Sequence, residues 1–553
     1  MMRRVLLAVL CSCFSSCGQG ERQPLVVLIG LDGGSLDIVD ELRAEERLPN
    51  FERLMASGTS GPLQSWPSRR VMRESSRRYF ASPIVWASIA TGKVPEKHGI
   101  RDFVLPIPGT ASVWMGSEDD PARAAIRIPQ IEGRAPFVLR LKLHSYEPNG
   151  EQGVDVIWNG ERLETLRVPV EWTEFSVPVA AADLRSGQNR LELLFARQSR
   201  PSEAGDSSDR RRLAGELAFV SVIDGKGKEI VSLSPAVSRE HFERGFYEPR
   251  GRLAEIQSVH WRAKPVWMLL GDAGVSVGIV GYWGTWPAYE VNGFLVSSRM
   301  GIRDQRSGSG RLTWPEDLAR ELEPLAPLAE DLAPTLEQLH VSECEPPFID
   351  RSSVLKKILI QDTYYVRLAK QLLPRMDSGL FTIYLRSLDV AGHVTLHWRA
   401  GAPLPANCPD SLRDVMDETY VKVDAWIGEI LDALPRGATV IVVSDHGMQP
   451  IEGAGHHAPF GLFIANGENI RRGRSFHGST VLDVAPTLLH AFAQPVPLDM
   501  DGNVLAALFE EDWLRSNPLR FTDVDTSMSL EGGETTEASE EVLEELRALG
   551  YIE

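Results

Sequence analysis

Leu25-Val-Val-Leu-Ile-Gly-Leu31 is an unbroken apolar run that ends at Asp32-Gly33-Gly34. The same arrangement returns twice: Phe381-Thr-Ile-Tyr-Leu385 is followed by Asp389-Val-Ala-Gly-His393, and Thr439-Val-Ile-Val-Val443 runs into Ser444-Asp445-His446-Gly447. Short apolar runs of this kind read as strands buried on both faces, as in a parallel sheet covered by helices. The carboxyl ends of such strands open into one crevice of an open α/β sheet. The expected fold is therefore α/β, with helices around a central, mostly parallel sheet and polar side chains converging at the strand ends.

Asp32, Asp389, His393, Asp445, His446 and His457 each stand beside such a run or in a glycine-rich turn. Singly, an Asp solvates a loop and a His is a satisfied surface or half-buried residue. Together they supply enough ligands for two adjacent divalent ions. A mixed Asp/His set suits Zn²⁺ or another divalent transition metal, whereas an all-oxygen set would point to Mg²⁺ or Ca²⁺. Asp389 and His393 are four residues apart, so one helical turn or a tight loop presents both to the same ion. Asp445 and His446 are adjacent and would face opposite ways on a regular strand. They are therefore expected in irregular chain after it, with Gly447 permitting the turn.

A nucleophile is found in Ala81-Ser82-Pro83-Ile84-Val85-Trp86-Ala87-Ser88-Ile89-Ala90-Thr91-Gly92. Ser82 is expected at the N-cap of a short helix, Pro83 at its first position and Gly92 just past its end. A serine there can simply cap the helix. The same helix end also stabilises anions, which suits a serine alkoxide and the phosphoryl group it attacks, and a metal on the hydroxyl would lower its pKa. Ser88 and Thr91 fall inside or at the far end of the helix.

These residues resemble the alkaline phosphatase superfamily, in its type I phosphodiesterase/nucleotide pyrophosphatase branch. The resemblance is carried by Asp32-Gly33, the Ser82 segment continuing to Lys93-Val94-Pro95-Glu96-Lys97-His98-Gly99-Ile100, Asp389-x-x-x-His393, Ser444-Asp445-His446-Gly447-Met448 and His457-Ala-Pro-Phe-Gly461. It implies an alkaline-phosphatase-like sandwich fold and two zinc ions, one held by Asp32, Ser82, Asp445 and His446, the other by Asp389, His393 and His457. His456 competes with His457, which only the spacing to Pro459 and Gly461 favours. The implied reaction is cleavage of a phosphodiester or pyrophosphate bond in a small phosphate ester through a phosphoserine on Ser82. Phosphomonoesterase or phosphotransferase activity is the alternative. Nucleotide-cleaving members usually carry an Asn shortly after the His-Gly-Ile element, where Asp102 and Phe103 stand here, and many relatives have Thr in place of Ser82. The segment from Ser82 to Trp86 lacks the pattern that forms formylglycine, which argues against a sulfatase.

At 553 residues the chain allows a large α/β domain and at least one more. Its formal charge of −18 argues against nucleic-acid partners, since phosphate backbones need a basic surface. The start reads as a targeting segment: basic Met1-Met-Arg3-Arg4, a short apolar stretch Val5 to Leu10, and Phe14-Ser15-Ser16-Cys17 as a lipoprotein cleavage box. Residues 1–16 would be removed and Cys17 lipidated, anchoring the chain to a membrane of the bacterial envelope, periplasmic or at the cell surface, with Gly18 favouring the outer membrane. Cys344 and Cys408 remain, and their spacing leaves pairing open.

The catalytic domain is expected at residues 23–121 and 236–510, with cap insertions around 300–350 and 395–412. Between them, 122–235 alternates in short runs that read as an inserted antiparallel β-sandwich, with Asn159-Gly160 as a hairpin turn. Trp158 and Trp172 are candidates for stacking on a glycan. A surface glycan-binding lipoprotein with a structural or inactive metal site is thus the reading from a different class. Lys93, Arg101 and Lys264 are phosphate-clamp candidates by residue type alone. Ser411 to Leu434 reads as an amphipathic helix. Residues 511–553 form a tail, acidic and mobile from Asp523 to Glu541, with a last helix from Val542 to Leu549.

Overall fold

The computed structural model describes residues 23–65, 81–106, 112–116, 122–131, 135–185, 187–200, 212–233, 241–250, 253–301, 310–327, 348–404, 408–451, 454–530, 538 and 540–549. Residues 1–16, read above as a signal segment, and Cys17 and Cys344 lie outside these residues; Cys408 is disulfide-bonded. Two compact units form, one of Met1–His98, Arg262–Gly301 and Arg311–Met528, the other of Gly99–Trp261, Ile302–Gly310 and Ser529–Glu553. No helix among the described residues is long and apolar enough to cross a membrane.

The first unit is a mixed α/β structure. Its sheet places Leu25–Leu31 at the centre, with Gly379–Leu385 and Thr439–Val443 parallel on either side. Val277–Val280 and Gly293–Val296 extend the parallel part, and Phe460–Asn466 and Thr59–Gln64 continue the other edge in antiparallel fashion. Every residue of the three central strands is buried. Strands with no wet face leave no place for a charged side chain along their length: Asp32 follows Leu31, Asp445 and His446 follow Val443, and Asp389 stands in the helix Ser387–Arg399 after Leu385. The register aligns Leu31 with Leu385 and Gly30 with Val443, so the three strands finish at one level. The Asp32 N–H donates to the Leu385 carbonyl at 2.9 Å, extending the pairing one residue into the crevice.

The second unit is an antiparallel sandwich. One sheet runs Phe242–Arg244, Arg123–Ile128, Asn189–Phe195, Gln152–Trp158, Glu161–Val168; the other runs Phe246–Arg250, Ser112–Met115, Gly215–Ile223, Phe137–Ser145, Thr173–Val179, with Glu229–Leu233 beside Gly215–Ile223. Alternate residues of both sheets form one apolar core, from Ile126, Val156 and Leu193 to Leu139, Leu141 and Val220. Asn159 and Gly160 turn at φ +52° and +99°, the left-handed pair a two-residue hairpin requires. Trp158 is fully buried in this core and is unavailable to a sugar, whereas Trp172 is 42% exposed. The sheets also draw in strands on both sides of 122–235. The chain passes from one sheet to the other at Gly245, where φ is +76° and a Cβ would lie 2.2 Å from the Arg123 carbonyl oxygen.

The tail departs from expectation. Phe521–Thr522 pairs with Val496–Pro497, Ser527 bridges to Ala263, and the Thr526 hydroxyl donates to Asp499 at 2.6 Å. Residues 523–528 are therefore docked by backbone pairing, which an acidic composition does not reveal. Lys93 is buried against Asp499 and Thr526 and holds this segment, so it is not a phosphate clamp. Lys264 is paired with Asp272 at 2.8 Å.

Candidate metal centre

The helix Ser82–Thr91 begins one residue earlier than its sequence suggests: Ala81 is the N-cap, without a side-chain cap, and Gly92 closes the helix in the left-handed region. The Ser82 hydroxyl is thus spared from capping. It donates to Asp32 Oδ1 at 3.1 Å and lies 3.2 Å from His446 Nε2. Asp389 and His393 stand one turn apart on the helix Ser387–Arg399, with His393 Nε2 3.3 Å from Asp389 Oδ1. Asp445 and His446 occupy irregular chain after Val443. Gly447 serves this turn by close approach rather than by a left-handed φ, since a Cβ there would meet the Phe460 carbonyl oxygen at 2.3 Å. His457 lies on a hairpin of Gly447–Ile451 and Ala454–Ala458, opposite Met448, while His456 is opposite Gln449. Neighbours on a strand face opposite ways. His457 is the one whose Nε2 comes within 3.2 Å of Asp389 Oδ1.

The side chains fall into two groups of metal-ligand geometry, Asp32 with Asp445 and His446, and Asp389 with His446 and His457. His446 joins them: its Nε2 is 3.2 Å from Asp445 Oδ2, 3.4 Å from Asp32 Oδ1 and 3.9 Å from Asp389 Oδ1. The resemblance assigned His446 to one ion alone, whereas it stands within reach of both groups. His393 adjoins the second group through His457, with 2.9 Å between their Nε2 atoms.

Neighbouring backbone fixes the imidazole tautomers. His446 Nδ1 lies 3.0 Å from the Gly447 carbonyl and His393 Nδ1 3.0 Å from the Gly455 carbonyl. A carbonyl only accepts, so Nδ1 bears a hydrogen in both rings and Nε2 is the atom turned towards the carboxylates. Such outer contacts are how proteins orient metal-binding histidines. The carboxylates are held likewise: Tyr384 donates to Asp32 Oδ2 at 2.5 Å, and the Gly33 N–H donates to Asp445 Oδ1 at 3.2 Å. The Ser444 hydroxyl accepts from the Gly34 N–H and donates to the His446 carbonyl, both at 2.7 Å. Tyr384 and Ser444 were not singled out from the sequence, although a tyrosine in an aliphatic, fully buried strand is itself a signal that its hydroxyl has a buried partner.

The electrostatics call for a cation. Burial, followed by the nearby Asp389 charge, pushes Asp32 up to about 6. Burial and the charges of Asp32 and Asp389 raise Asp445 well above the usual carboxylate range. For Asp389 burial acts upward, but the combined pull of His393 and His457 holds it well below that range. Burial, then the His457 charge, keeps His446 largely neutral, the form in which imidazole binds metal. Asp445 Oδ2 is buried without a hydrogen-bond donor. Three crowded carboxylates with imidazole Nε2 atoms turned towards them fit divalent cations of the Zn²⁺ type.

Asp and His side chains of metal-ligand type gathered where parallel strands end fit the alkaline phosphatase superfamily of metal-dependent phosphoesterases. The model of the type I phosphodiesterase/nucleotide pyrophosphatase family matches residues 26–160 and 238–483, and the chain belongs to that family. Among curated proteins, the 2,3-bisphosphoglycerate-independent phosphoglycerate mutase of Shewanella amazonensis is 31% identical over 100 residues, 16% of this chain, and the chain spans 18% of that protein's length. Among solved structures, murine ectonucleotide pyrophosphatase/phosphodiesterase 5 aligns over 88% of this chain and all of its own, at 11% identity and a TM-score of 0.36. An inactive variant of the same murine protein in complex with AMP aligns over 90% of this chain and all of its own, at 11% identity and a TM-score of 0.34. The family assignment rests on the family match.

Proposed function

We propose that this protein hydrolyses a phosphodiester or pyrophosphate bond in a small phosphate ester, with Ser82 as nucleophile and two zinc ions as cofactors. The observation that carries the reading is the Ser82 hydroxyl, buried at a helix N-terminus within 3.1 Å of Asp32 and 3.2 Å of His446. Asp32, Asp445 and His446 would hold one ion together with Ser82, and Asp389, His393 and His457 the other. When bound, the ions supply Lewis-acid polarisation of the phosphate and stabilise the serine alkoxide. Ser82 Oγ forms a bond to phosphorus as the bond to the leaving oxygen breaks, and that oxygen departs with the electron pair. Water then attacks phosphorus, and Ser82 Oγ leaves and regains a proton. The helix N-terminus favours the negative charge on Ser82 and on the phosphoryl group it carries. Tyr384 and Gly33 hold Asp32 and Asp445 in place throughout.

A phosphomonoester is the second reading, because Asp102 and Phe103 stand where nucleotide-cleaving relatives usually carry Asn, which leaves the substrate class open. The leader sequence and Cys17 support a lipid-anchored protein of the bacterial envelope, which is part of this proposal. The test compares nitrophenyl phosphate, bis-nitrophenyl phosphate, a nucleotide dye ester and nitrophenyl sulfate, using wild type and Ser82→Ala. The diester or nucleotide ester is expected to turn over fastest, and Ser82→Ala to lose roughly 10³-fold or more. Preference for nitrophenyl phosphate would select the monoesterase. Turnover untouched by the substitution would remove Ser82 as nucleophile.

A further inference from the structure

The sandwich unit carries a second polar site, unrelated to the Asp/His centre. A cavity of about 310 Å³ opens on the outer side of its five-stranded sheet, lined by Asn159, Gly160, Arg185, Arg190, Glu192 and Arg244. The register explains why it exists. Glu192 is paired with Ala125, and Ala125 with Arg244, so the row across three strands has a methyl group between two long side chains. Arg123 and Arg127 share the outer row of the middle strand, while Ala124 and Ile126 face the apolar core. The side chains of Arg190, Glu192 and Arg244 rise on this outer face, and the Asn159-Gly160 turn and Arg185 complete the lining.

The charge of the lining is opposite to that of the chain. Three guanidinium groups face one carboxylate here, in a protein whose formal charge is −18. Part of that positive charge is used: Arg244 lies 3.3 Å from Glu192, and Arg190 lies 3.1 Å from Glu243 and 3.7 Å from Glu192. Arg185 is held by one hydrogen bond from its guanidinium to the Asn159 carbonyl, at 3.2 Å. The Arg190 Nε is buried with no acceptor. A buried N–H of a charged group without an acceptor is costly, and it leaves the terminal guanidinium nitrogens of Arg190 as the donors that reach the cavity. Asn159 has no such capacity to spare: its amide donates to Asp183 and Asn189, and its oxygen accepts from the Arg190 N–H. The arginines are therefore the donors on offer, with Glu192 as the acceptor.

We propose that this cavity binds a small hydroxylated organic acid, an acidic sugar whose carboxylate or sulfate is taken by Arg190 and Arg244. Planar guanidinium groups pair bidentately with such oxyanions, and the Glu192 carboxylate accepts from neighbouring hydroxyls. A neutral sugar brings no anion to the excess of guanidinium charge, and an inorganic anion brings no hydroxyl to Glu192. The volume suits a ligand of about one sugar ring.

Calorimetric titration of the full chain with glucuronate, glucose 6-sulfate, glucose and inorganic sulfate tests this. One equivalent of glucuronate or glucose 6-sulfate is expected to bind, at least tenfold tighter than glucose or inorganic sulfate; which of the two binds tells a carboxylate from a sulfate. Arg190→Ala and Arg244→Ala should each weaken binding tenfold or more. Arg185→Gln, which removes a guanidinium of the lining held by a single exposed hydrogen bond, should weaken it at least threefold with the melting temperature changed little. Nitrophenyl ester turnover should be the same in all three variants. The proposal is overturned if neither acidic sugar binds, if glucose or inorganic sulfate binds as tightly, or if affinity survives in Arg185→Gln and in whichever of the two alanine variants folds.

Discussion

The two units use strands of similar length in opposite ways. In the α/β unit Leu25–Leu31, Gly379–Leu385 and Thr439–Val443 are buried at every residue. In the sandwich Phe137–Ser145 and Asn189–Phe195 alternate buried with half-exposed. A strand with two dry faces has no place for a charged side chain along its length, so the charged residues collect past the strand ends in one crevice, buried and mutually perturbed. A strand with one wet face distributes them along its length, where water screens them and they form ion-pair rows such as Arg190 with Glu192 and Glu243. Concentrated chemistry in one unit and a diffuse charged surface in the other follow from the same alternation of side chains.

The largest effect expected from this contrast is at His446, which stands within reach of both ligand groups. His446→Ala should cut phosphate-ester turnover by roughly 10³-fold or more and lower the metal content per chain, measured by plasma mass spectrometry. Arg162→Ala, on an exposed row of the sandwich and paired with Asp155 at 3.5 Å, should alter neither. Full metal content in His446→Ala would break the contrast.

Much of the α/β unit was legible because its signals are local. An apolar run followed by an acidic turn is visible in Leu25 to Gly34, and Asp389 and His393 declare a shared helix face by their spacing. The choice between His456 and His457 needed the hairpin register, which sequence alone supports only through flanking residues. Tyr384 was passed over because a tyrosine among aliphatic residues also reads as packing, and its bond to Asp32 joins positions 352 residues apart. In the sandwich the alternating strands were readable, but Phe242 to Arg250 was not. That segment is divided between two sheets at Gly245, so neither half is long enough to show a period. The docking of Thr526 and Ser527 escaped for a related reason: it is backbone pairing, which composition does not encode.

A smaller effect tests whether burial in the α/β unit extends beyond the ligands. Asp362 is fully buried and accepts from the Arg386 and Ser387 N–H groups and the Ser387 hydroxyl, and burial still pushes it up to about 7. A carboxyl whose folded pKa lies above its unfolded value binds its proton more tightly in the native state. Its contribution is therefore complete below the unfolded value near 4 and is lost as pH rises towards 7. Asp362→Asn keeps an acceptor without the charge. The melting temperature of wild type minus that of the variant should fall between pH 4 and 7 and level off above. A flat difference across that window would show that Asp362 is not titrating in the dry environment assigned to it.

The smallest effects are the sharpest comparison, because they place the same substitution in one strand of each kind. A Cβ at Gly30 would lie 2.7 Å from Trp86 Cη2, and Trp86 is itself fully buried with the Tyr384 ring 4.8 Å away. Gly30→Ala should therefore destabilise the chain by about 1–3 kcal/mol, the usual cost of overpacking. At Gly153 the added methyl would meet only Thr165 Cγ2 at 3.7 Å, an ordinary contact on the half-exposed row of the sandwich. Gly153→Ala should be neutral or stabilise by up to about 1 kcal/mol, because alanine restricts the unfolded chain. Urea unfolding of both variants measures the pair. Equal responses would mean that Trp86 has room to yield, and the contrast between the doubly dry strand and the half-exposed one would fail.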